Sequence, residues 1–157
     1  MPTSAARAKV ATGTTIKTLL QLKSTIPFKI LAWGISFDAS AAATPVMCEL
    51  VETGTVAATV TALADADIVK MEGVSDQVNA STAGMTLSTS GTGYTASAEG
   101  TVTSTRSFDD ELVAPTNQYI YQFPLGYEPK VIAGNIARIR VTAPATTNAI
   151  CWVEIDI

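Results

Sequence analysis

Histidine is absent from the 157 residues. The chain therefore lacks the one side chain whose ordinary pKa lies near neutrality, and with it the Ser-His-Asp and Cys-His arrangements of many hydrolases. Charge is scarce as well: 15% of residues are charged and the net charge is -4. Neutralising phosphates needs a basic field, so no nucleic acid partner is expected. No apolar run approaches the ~20 residues of a spanning helix, and residues 1–15 (MPTSAARAKVATGTT) hold no hydrophobic stretch of a secretory signal. The expectation is a soluble, unprocessed chain with no membrane partner. Two cysteines, Cys48 and Cys151, lie in the apolar segments CEL and ICWVEI. They fit neither a disulfide framework nor a zinc site, and are expected to be buried thiols acting as small hydrophobes. A bridge between them would require neighbouring strands at the right separation.

What the sequence does contain points to β-structure. A chain of this length forms one domain, burying about 68 to 70% of its unfolded surface. Ala and Thr make up roughly 30% of it, and threonine suits a pleated, half-exposed surface. Apolar residues recur with period two in short runs broken by Gly, Pro, Ser and Asp. Residues 1–13 read as a flexible N-terminal arm, and residues 14–157 as the domain. Strands are expected at residues 16–22 (IKTLLQL), 28–38 (FKILAWGISFD), 46–52 (VMCELVE), 55–61, 94–105, 117–125, 131–134, 137–142 (ARIRVT) and 149–157 (AICWVEIDI). In the second run Phe28, Ile30, Ala32, Gly34, Ser36 and Asp38 share one face, and Lys29, Leu31, Trp33, Ile35 and Phe37 the other. That marks a central strand, and Gly34 suggests a ring or backbone passing close by. Residues 39–45 (ASAAATP) read as a turn joining it as a hairpin to 46–52. Residues 62–71 carry a helical spacing, and residues 72–93 a long loop. The fold class is all-β, a single-domain jelly-roll sandwich of about eight antiparallel strands.

Few residues look chemical. Phe108, Asp109, Asp110 and Glu111 could hold calcium or act as a carboxylate pair, but adjacent carboxylates on an extended segment point to opposite sides, so a solvated acidic loop is expected. Asp65 and Asp67 share that weakness. Gly91-Thr92-Gly93 lacks the strand-to-helix junction and lysine of a phosphate cradle. No metal, cofactor or catalytic group is expected, and the chain is not expected to be an enzyme. Residues 117–129 (NQYIYQFPLGYEP) set Tyr119, Tyr121 and Phe123 on one strand face. Their neighbours are apolar or amide rather than the cationic groups that orient a ligand. The rings, with Trp33, are therefore candidates for the core or a subunit interface, the hydroxyls meeting polar partners at its edge. Arg138 and Arg140 share a strand face, either solvated or contacting acidic groups of a neighbouring protein.

The runs AWGISFDASAAATPVMCELVETGT and QFPLGYEPKVIAGNIARIRVTAPATTNAICWVEI resemble small virion proteins of tailed bacteriophages, especially those infecting actinobacteria. The likeness covers roughly two thirds of the chain and leaves out residues 73–93. Ala39 stands where a glycine is commoner in that pattern, and Ala137 where a larger aliphatic is. The resemblance implies a jelly-roll capsid decoration, or cement, protein on the outer surface of the virion, made in the host cytoplasm. Its implied partners are the phage major capsid protein and copies of itself in a homotrimer. A jelly-roll head or carbohydrate- or receptor-binding module of a phage tail fits the same fold.

Overall fold

Short runs of alternating β-branched and aliphatic residues bury one face each, and two sheets of them close a core between themselves. The computed structural model describes residues 9–38, 44–69 and 84–157. These residues form eleven strands, more than the eight or so expected: β1 (Val10–Ala11), β2 (Lys17–Lys23), β3 (Phe28–Phe37), β4 (Val46–Glu52), β5 (Thr59–Ala62), β6 (Gly93–Ala98), β7 (Arg106–Val113), β8 (Gln118–Gln122), β9 (Lys130–Val131), β10 (Ile136–Thr142) and β11 (Asn148–Asp156). The helical expectation at 62–71 reduces, among the described residues, to one 3-10 turn at Asp65–Asp67.

One sheet runs β1-β11-β3-β8, with β9 also on β3; the other runs β5-β6-β2-β10-β4-β7. Among the described residues every ladder between these strands is antiparallel. The chain is thus an all-β, single-domain sandwich. Its core holds Leu19, Leu20 and Leu22 of β2, Leu50 of β4, Ile139 and Val141 of β10, and Phe28, Ile30, Trp33, Ile35 and Phe37 of β3.

Several expectations change. β3 and β4 are not a hairpin: β3 pairs with β11, β8 and β9 in one sheet, β4 with β10 and β7 in the other. Both strands bury one apolar face, and facing sheets satisfy both burials at once. The two faces assigned to β3 also merge. Ile155 pairs with Ile30 while Glu154 pairs with Ala32, so Leu31 is an extra residue in the ladder. This bulge shifts the alternation by one, and Phe28 and Ile30 join Trp33, Ile35 and Phe37 inside. A similar slip in the β10–β2 ladder lets the consecutive Leu19 and Leu20 both reach the core.

Part of the expected arm belongs to the sandwich. Val10 and Ala11 pair with Ala149 and Asn148, Thr12 donates its N–H to the Thr147 carbonyl, and Lys9 pairs with Asp38. Residues 1–8 lie outside the described residues, as do 39–43 of the expected turn, 70–71 of the expected helical segment and 72–83 of the expected loop. The rest of that loop packs: Met85 is buried, and residues 84–92 hydrogen-bond along the end of β2. The acidic stretch at Phe108 to Glu111 is no loop; it forms the middle of edge strand β7.

Candidate interaction edge

β7 and β8 are edge strands of opposite sheets, joined through residues 114–117, and they close one side of the sandwich. On β8, Tyr119 stands across from Ile35 and Tyr121 across from Trp33, so the alternation that groups the rings in sequence turns them to the inner side. Trp33 is fully buried, and Tyr119 meets it edge to face with centroids 5.4 Å apart. Tyr119 and Tyr121 stack at 6.5 Å, and Tyr121 meets Phe123 edge to face at 5.0 Å. The row runs outward: Tyr119 and Phe123 are half-buried, and Tyr121 is 37% exposed.

A single carboxylate ties the sheets together at this seam. Asp109 of β7 accepts hydrogen bonds from Trp33 Nε1 (2.9 Å) and Tyr119 Oη (3.0 Å), both to Oδ2. Burial first, then the bond to Asp109, pushes the Tyr119 phenol well above its usual pKa, so it stays a neutral donor. Sequence reading reserved the hydroxyls for a polar partner but did not find Asp109, because adjacent acidic residues resemble a solvated run.

Beyond Phe123 the chain leaves β3 and returns at Pro129, whose carbonyl accepts from Ile30 N–H. Between them Tyr127 N–H bonds to the Pro124 carbonyl, with Gly126 at φ +88° completing the turn. Glu128 caps it by accepting from Gly126 N–H at 3.0 Å, and this bond, ahead of Lys29 nearby, holds the carboxyl below its usual pKa. The tip is therefore a fixed turn, yet it presents Leu125 at 94% and Tyr127 at 81% exposure. Ile120 on the outer face of β8 is also exposed. Local sequence does not announce this projection, because Leu125 and Tyr127 stand among the turn residues Pro124, Gly126 and Pro129.

Arg138 and Arg140 are not where they were expected. They do share a face of β10, but both are buried, with Val56 of the segment after β4 and Glu99 after β6 lying against Arg138. Arg138 donates to the Val56 carbonyl, to the Glu99 carbonyl (3.0 Å) and to the Glu99 carboxylate (3.4 Å). Glu99 also accepts from Thr18 N–H and Oγ1, and Gln21 clasps Ala58 through both its N–H and carbonyl. Arg140 pairs with Glu49 at 3.4 Å. Arg138 and Gln21 hold the segment between β4 and β5 down, and neither arginine is open to a partner.

The other candidates have structural surroundings. Asp67 is buried and accepts from Ala64 N–H, while Asp65 stays exposed. Gly91 and Gly93 lie where a Cβ would strike the Thr86 and Thr61 carbonyls, which explains the two glycines by close backbone approach. Cys48 and Cys151 are buried and unbridged, and burial pushes both thiols up to about 12. Among the described residues no three His, Cys, Asp or Glu side chains gather as a metal site.

Fold and edge define an all-β sandwich with a rigid aromatic seam and an apolar tip. Comparison with protein-family models, curated proteins and solved structures gives no significant match.

Proposed function

We propose that the chain is a structural virion protein that decorates and stabilises the outer face of a bacteriophage capsid by binding the major capsid protein, without catalysis. The observation that carries this reading is the tip at Leu125 and Tyr127, a rigid apolar projection beside an uncharged strand edge, which suits burial by another protein. The quoted sequence resemblance supports it independently. So does the path of the chain, which alternates between the sheets along β2, β3 and β4 and again along β7 and β8, as a jelly roll does. A homotrimer on the three-fold positions of the shell belongs to the same reading.

Co-sedimentation with its own assembled capsids tests it. Wild type is expected to pellet with the shells, and Leu125→Ala with Tyr127→Ala to pellet at least tenfold less while staying folded. A monomer that stays in the supernatant would overturn the reading. Exposure of the Tyr127 ring favours one alternative, a glycan- or receptor-binding module of a phage tail. Glycan binding by the isolated protein, lost in Tyr127→Ala, would decide for it.

A further inference from the structure

We propose that β8 is a self-association edge on which a second copy of this chain adds its own β8, antiparallel, across a two-fold axis at Ile120. Free strand edges invite pairing and are usually guarded. Among the described residues the other edges are: β1 and β9 are two residues each, β5 is four residues with two register slips, and β7 carries Arg106, Asp109, Asp110 and Glu111. β8 has no guard. It is Gln-Tyr-Ile-Tyr-Gln, straight in register against β3, uncharged, and exposed at Ile120 and Tyr121.

Two further features select a second copy as the occupant. First, the strand reads the same in both directions about Ile120, so antiparallel self-pairing sets Gln118 opposite Gln122, Tyr119 opposite Tyr121, and Ile120 opposite itself. Every cross-strand pair is then like with like and none is charged, as an isologous contact demands. Second, the backbone phase agrees. Asn117 and Phe123 bond to Phe37 and Leu31 of β3, so with period two Gln118, Ile120 and Gln122 direct their N–H and C=O groups away from β3. Those three residues are the ones that face one another in the palindromic register, giving about six new backbone hydrogen bonds. The same register, carried on, sets the partner's Pro124 beside Thr116. A shallow groove of about 390 Å³, lined by Ser36, Phe37, Thr116, Asn117 and Gln118, opens there and lies in the path of the partner's Leu125 tip.

The contact closes on two copies, so in a three-fold assembly it would link one trimer to the next. It goes beyond the capsid reading and does not depend on it. Cysteine cross-linking tests it, because the native cysteines are both buried. A hydrogen-bonded antiparallel pair sets its Cα atoms about 5.5 Å apart, within disulfide range. Ile120→Cys is expected to oxidise to a covalent dimer on a denaturing gel. Gln118→Cys alone should not, whereas Gln118→Cys mixed with Gln122→Cys should. Independently, Ile120→Lys, which brings two lysines together at the axis, is expected to lower the light-scattering mass by at least half with an unchanged circular dichroism spectrum. No Ile120→Cys dimer, equal dimer from Gln118→Cys alone, or a mass indifferent to Ile120→Lys would each overturn the proposal. So would binding of a foreign extended peptide to a monomeric wild type.

Discussion

At Gly34 space alone decides which residue fits. A Cβ there would come within 2.6 Å of the Trp152 ring, which lies across the backbone from the neighbouring strand. Gly34→Ala is therefore expected to destabilise the protein by about 1 to 3 kcal/mol, as overpacking does. Combining it with Trp152→Ala should recover much of that increment, since the clash and the ring would go together. Thermal melts of the two single variants and the double variant check this. The close approach was legible in sequence, because a glycine inside an apolar strand asks for something near it. The identity of the ring was not, since residues 118 positions apart meet only through the β3–β11 ladder.

Among the elements, the crossover from β4 to β5 sets the fate of a strand that sequence reads as half solvated. Arg138 and Arg140 alternate with Ile139 and Val141 on β10, the pattern of one buried and one wet face. Period two assigns them correctly to one face, but it cannot tell that Val56 and Glu99 lie against Arg138 or that Glu49 meets Arg140. Burial lowers the Arg138 pKa while Glu99 opposes that shift, leaving a charged guanidinium matched by carbonyls and a carboxylate. Arg138→Ala would take the cation from the Glu99 carboxylate, leave the Val56 and Glu99 carbonyls without this donor and open a cavity, at a cost of about 3 kcal/mol. That is a large share of a domain's typical 5 to 15 kcal/mol. Glu99→Gln keeps one acceptor oxygen for Arg138 and the Thr18 hydroxyl but turns its NH2 toward the Thr18 N–H, and is expected to cost less than Arg138→Ala because no buried cation loses its partner atoms outright. Urea denaturation midpoints distinguish the two. The bulge at Leu31 belongs to the same scale: it reverses the alternation that strand arithmetic relies on, and pairing with β11 alone reveals it.

Over the whole molecule the core couples stability to pH through its two thiols. Cys48 and Cys151 are pushed up to about 12 in the folded protein from a value near 9 in the unfolded chain. Between those values the unfolded state releases protons that the folded state retains, so stability falls as pH rises. Below pH 9 the contribution is complete. Between about pH 9 and 12 the loss is on the order of 1 kcal/mol per pH unit for each thiol. Urea midpoints at pH 8.5 and pH 10.5 should differ accordingly, and the difference should shrink in a Cys48→Ala, Cys151→Ala chain even though that chain starts less stable. Native thiols should likewise resist alkylation at pH 8 and react once unfolded.

The β class, the single domain, most of the core strands and the grouping of Tyr119, Tyr121 and Phe123 on one face are legible along the chain. These follow from local alternation, turn residues and composition, which the chain carries within a few positions of each other. Tertiary structure alone decided which strands share a sheet, that Asp109 joins the two sheets at Trp33 and Tyr119, that the arginines are covered, and that β8 lies at an unguarded edge beside an exposed apolar tip. Each of these depends on partners far apart in sequence. Pairing and coverage arise where non-local segments meet, and no periodicity along one strand encodes its neighbour.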